Sequence, residues 1–155
     1  MYMYNLSVLR QEVVRALFLC KERSVMNENN ENNVEVLLVQ PKKIPKKVSI
    51  SRELKSLQKM VGGYISFTYP FKEDVGIVLN DEGKLLGLPF NRALRDENGD
   101  PYDIINGDFL VVGLTDDISS LPPEMMDKFE RLFHKPEVLT KVGGYLMISQ
   151  IESEN

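Results

Sequence analysis

The sequence predicts an α+β fold: a mostly antiparallel sheet of about six or seven strands, helices packed on one face, and an added N-terminal helix. Two observations carry this. Short apolar or alternating runs are divided by turn signals at hairpin spacing, with Asn80–Gly83 and Asn106-Gly107 the clearest. The spacing of an amphipathic helix appears only at 5–23, at 51–61 and after Pro122.

In the first helical stretch Leu6, Leu9, Val13, Leu17 and Cys20 recur at intervals of three and four. Residues 26–33 are asparagine-rich and offer nothing to bury, so they read as a linker. Residues 1–25 are thus expected to be an appendage, and 34–151 the main domain. Val34–Gln40 is a continuous apolar run suited to a buried strand, and Pro41 and Pro45 bracket a lysine-rich loop. Ser51 is placed to cap a helix with Leu54, Leu57, Met60 and Val61 on its apolar face, closed by Gly62-Gly63. Tyr64–Tyr69 alternates as a half-buried strand does.

Val75–Leu79 and Lys84–Leu88 are predicted to pair across Asn80–Gly83, with Gly83 at positive φ. Pro89–Arg95 is assigned one or two helical turns. Tyr102–Ile105 and Phe109–Gly113 are expected to flank a hairpin turn at Asn106-Gly107. Pro122-Pro123 suits the first turn of a helix whose stripe is Met125, Met126, Phe129, Leu132 and Phe133. Val142–Ile151 is expected to close the sheet. Val-Gly-Gly-Tyr occurs at both Val61–Tyr64 and Val142–Tyr145, too short a match to be a repeat.

Composition narrows the function classes. The chain has 155 residues, 43% of them apolar and 27% charged, which fits one globular domain. Cys20 and His134 are the only residues of their kinds, which excludes an internal disulfide and a zinc site of the usual four ligands. No metal and no cofactor is predicted. No apolar run nears the roughly 20 residues of a membrane span, so no membrane contact is expected and the reading is cytoplasmic.

Charge is segregated. Residues 40–59 hold seven basic side chains against Glu53 alone, whereas residues 96–155 hold thirteen acids and four bases. Lys42, Lys43, Lys46 and Lys47 are candidate phosphate contacts, or alternatively guards of an edge strand. The net charge of −4, with no aromatic platform nearby, weighs against nucleic acid. Asn91, Arg92, Arg95 and Asp96 place an amide, two guanidiniums and a carboxylate within six residues, a grouping suited to an anionic ligand. The structural alternative pairs the arginines with Asp96, Asp100 or Asp103 to fix a loop. Tyr64, Tyr69 and Tyr102 are candidates to line a cleft. His134 is placed to complement a helix C-terminus.

Val61–Ile65, Tyr69–Phe71, Asn80–Lys84, Gly87–Asp96, Tyr102–Ile105 and Gly107–Leu114 together resemble a bacterial and phage family, domain of unknown function 3846, over about residues 34–138. The family brings no established activity. The resemblance implies a short protein of a phage or other mobile element, with characteristic polar positions at Asn80, Asn91, Arg92, Arg95, Asp96 and Asp103. The expectation is a non-enzymatic accessory protein binding a host protein or a small anionic molecule such as a nucleotide, one version being counter-defence. Two alternatives stay open: a small enzyme using Asp96, Asp103 or His134 as base, and a nucleic-acid-binding accessory protein using the lysines. Oligomeric state is not readable.

Overall fold

The computed structural model describes residues 31–154, so the expected helix at 5–23, Cys20 and most of the expected linker lie outside the described residues. The first run, Asn33–Val39 (β1), is apolar on both sides from Val36 onward and lies inside a sheet. It pairs with Lys46–Ser51 (β2) on one side and Phe109–Leu114 (β7) on the other. Ile65–Thr68 (β3), Val75–Asn80 (β4) and β7 complete the antiparallel order β2-β1-β7-β4-β3, and the two-residue Ile118-Ser119 (β8) adds to β7. Phe90–Arg95 (β5) and Pro101–Asn106 (β6) form one separate hairpin, and Glu137–Val142 (β9) and Tyr145–Gln150 (β10) another. Among the described residues the helices are Leu54–Val61 (α1) and Pro123–Phe133 (α2).

The α+β class and the antiparallel sheet match the sequence reading, but the layers do not. Val34, Val36 and Leu38 of β1 pack with Leu57 and Val61 of α1, whereas Leu37 and Val39 pack with Met126, Phe129 and Phe133 of α2. Neighbouring residues of a strand point to opposite faces, so the helices cover opposite sides of the sheet instead of one. The β5–β6 hairpin shares the α2 side through Leu94 and Ile105. An aromatic cluster fills that layer: the ring centroids of Phe71 and Phe129 lie 4.4 Å apart, those of Phe109 and Phe133 5.3 Å.

Other expectations are corrected. Among the described residues ten strands in three sheets replace the expected six or seven, partly because β9 and β10 form their own hairpin rather than closing the main sheet. Pro89–Arg95 is not helical; its residues 90–95 are β5, whose Ala93 and Leu94 are buried. Lys84–Leu88 is not a strand but part of a turn, held by bonds such as Leu86 N to Glu82 O and Leu88 N to Gly83 O. The segment around Asn106-Gly107 links strands of different sheets, so it does not close a hairpin between them. Ser51 ends β2, and Glu53 occupies the helix N-cap, donating its amide to Ser51 Oγ. Gly62 closes α1 at φ 79 as expected.

Candidate functional site

Three asparagines tie turns to strand and helix ends. Asn80, at the end of β4, is buried; its Nδ2 donates to Val61 O, and its Oδ1 accepts from Glu82 N. Asn91 is fully buried and donates from Nδ2 to both Val39 O at 2.9 Å and Gly107 O at 2.8 Å. Asn106 donates to Leu88 O. These amides satisfy carbonyls that the loops leave without ladder partners. Gly83 belongs to the same tie, but not through positive φ: a Cβ there would meet Asn106 O at 2.6 Å, so only glycine allows the approach.

Arg92 is the largest fully buried side chain. Its Nε and one terminal nitrogen converge on Phe133 O, the last carbonyl region of α2, at 3.1 and 2.9 Å. That same terminal nitrogen, Nη2, also donates to Lys43 O, and Nη1 donates to Asn91 O and Asn91 Oδ1. Burial pushes its pKa down to about 10, opposed by the Glu137 carboxylate. That value lies far above neutrality, so the guanidinium stays charged, facing the negative end of a helix. The structural alternative holds in part: Arg92 fixes chain segments, but through carbonyls rather than through Asp96, Asp100 or Asp103.

Arg95 is partly exposed, donating to Gly99 O and pairing with the buried Glu137 at 3.3 Å. The other Glu137 oxygen accepts from Ala93 N at 2.9 Å. Asp96 Oδ1 takes the amides of Asn98 and Asp100, which fixes the turn at 96–100. Beside these groups runs a cleft of about 350 Å³, floored by Phe71, Leu132 and Phe133 and edged by Arg95, Asp96, Glu97 and Glu137. Glu97 is held below the usual carboxylate range by its hydrogen bond from Lys72.

A second cleft, of about 300 Å³, lies across Gln58, Gly62, Gly63, Tyr64, Asn80, Glu82 and Leu86. Tyr64 is 70% exposed beside it, and the turn after β4 holds Leu85 at 88% and Leu86 at 59%. The polar candidates therefore divide: Arg92, Arg95 and Asp96 adjoin the first cleft, Asn80 and Tyr64 the second. Asp103 belongs to neither; it is exposed on β6, paired with Lys84. Tyr69 and Tyr102 line neither cleft. The Tyr69 hydroxyl is buried without a partner, and burial raises its pKa.

The lysines are dispersed. Lys42 pairs with Glu154 and Lys47 with Asp127, Lys43 lends its carbonyl to Arg92, and Lys46 is exposed on the edge strand β2. His134 lies beside Glu130 at 2.8 Å, at the end of α2. Neither of these two clefts brings Asp96, Asp103 and His134 together. Among the described residues no group of three or more His, Cys, Asp or Glu is placed to hold a metal ion, and no helix is long and apolar enough to cross a membrane. Sequence reasoning missed Glu137, Leu85 and Leu86. Glu137 carried no local signal, and the two leucines were assigned to a strand.

No curated protein and no solved structure matches the chain. Residues 34–134, which run from β1 to the end of α2 and include Asn80, Asn91, Arg92, Arg95, Asp96 and Asp103 but not Glu137, match a family described as a domain of unknown function, and the chain belongs to that family, DUF3846.

Proposed function

We propose that this chain is a non-enzymatic accessory protein that binds another protein through the surface formed by Tyr64, Leu85 and Leu86. One observation carries the reading: Tyr64 and Leu86, both more than half exposed, line one cleft, and the still more exposed Leu85 adjoins Leu86 on a turn fixed by hydrogen bonds. Contiguous exposed apolar surface on a rigid support marks an interaction site, whereas single exposed leucines do not. Pre-ordering of the turn lowers the entropic cost of docking.

A small anionic ligand has less support. Arg92 already directs its donors to carbonyls, and Arg95 shares the first cleft with Asp96, Glu97 and Glu137. The setting in a phage or other mobile element, the host identity of the partner and the counter-defence version rest on the family resemblance. The cytoplasmic reading rests on the single cysteine.

A photo-cross-linking residue at position 85 tests the proposal in the native cell. The expected result is one discrete protein adduct, lost with Leu86→Asp and not seen when the cross-linker replaces Lys55 on the exposed side of α1. No adduct at position 85, or one indifferent to Leu86→Asp, overturns the assignment.

A further inference from the structure

We infer that the chain forms a homodimer by antiparallel pairing of β10 with β10 of a second copy. The other long strand edges are blunted. Edge strand β2 carries Lys46 and Lys47, and edge strand β3 has only four residues and ends near Pro70. The open side of β5 is occupied by the Glu137 carboxylate on Ala93 N, and β6 begins with Pro101 and bonds Ile104 N to Asp103 Oδ1. Charges, prolines and short length are the ordinary means of preventing one edge from pairing with another.

β10 has none of these. It reads Tyr-Leu-Met-Ile-Ser-Gln, six residues without a charge or a proline, and among the described residues it pairs only with β9. Among the described residues no side chain bonds to its amides. The turn Gly143-Gly144, at φ 55 and 85, keeps the hairpin tight. The chain that follows does not cover the edge: Ile151 N bonds to Pro136 O, and Glu154 bonds and pairs with Lys42 on the body of the protein.

The hairpin also exposes apolar side chains on both faces. The register puts Val142, Tyr145 and Met147 on one face and Leu139, Leu146 and Ile148 on the other. Tyr145 is 78% exposed and Leu146 69%. A helix would cover one face only, and a two-stranded hairpin is marginal by itself. A further strand satisfies the open amides and carbonyls and sets lateral neighbours beside the apolar groups of both faces. A second β10 suits this role because the strand is uncharged: its two-fold image brings no like charges opposite one another, and the contact is self-complementary and closed. A strand bearing acidic or basic residues would gain no opposite charge here.

Analytical ultracentrifugation of the full chain over a concentration series tests this, with circular dichroism on every variant. The expected result is a reversible monomer–dimer equilibrium, its Kd raised at least tenfold by Met147→Lys and also by Leu146→Lys. These two positions lie on opposite faces and are already exposed, so one folded variant suffices. Leu85→Asp is expected to leave the equilibrium unchanged. A wild-type chain that stays monomeric at high concentration overturns the inference. So does a dimer insensitive to both lysines, or one dissociated by Leu85→Asp alone.

Discussion

The turn at 81–88 and the strand that follows it invert the usual partition of side chains in opposite ways. In the turn, Leu85 and Leu86 face water; in β5, Asn91 and Arg92 are among the most buried residues of the molecule. The buried amide and guanidinium have found their partners, whereas the two leucines remain in water. The difference separates what holds the fold from what is available to another molecule. A buried guanidinium bonded to carbonyls on three chain segments acts as a brace. An exposed leucine on a fixed turn adds nothing to the monomer that would justify its position.

The largest expected effect lies on the buried side. Arg92→Met would leave Phe133 O, Lys43 O and Asn91 O without their donor, at a cost of about 3–5 kcal/mol, read as a lower urea midpoint at unchanged slope. A loss under about 1 kcal/mol would break the comparison by returning Arg92 to the surface as a ligand contact. Asn91→Ala removes two donated bonds, to Val39 O and Gly107 O, and is expected to cost about 2–3 kcal/mol in the same experiment. Leu85→Ser should have the smallest effect, within about 0.5 kcal/mol of the parent. A substantial loss there would show that the leucine supports the monomer and is not held out for a partner.

Much of the fold was legible in the sequence because its signals are local. The alternation at Ile65–Thr68, the helical spacing from Leu54 to Val61 and the proline start of α2 each specify an element without reference to the rest. The layer arrangement was legible too, but was misread. Val36–Val39 and Phe109–Val112 are unbroken apolar runs, and a strand apolar on both sides requires cover on both sides. Pro89–Arg95 misled because its polar residues suggest solvent, while their burial depends on carbonyls supplied from 16 to 52 positions away. The polar cluster was found as a cluster but its role was not, since sequence gives the donors at Asn91 and Arg92 and conceals the acceptors. Glu137, some forty residues from the strand it serves, lay beyond any spacing rule.

Arg92 has one more consequence, for the order in which the protein opens. Its guanidinium joins the end of α2, the loop after β1 and the strand β5, so none of the three can separate without exposing or stranding a charge. Fraying from the C-terminal end of α2, ordinarily the least costly motion of a helix, is blocked at Phe133. Amide protons in the last turn of α2 and in β5 should therefore exchange with solvent only through a shared opening, at one common free energy, while the turn carrying Leu85 exchanges independently and early.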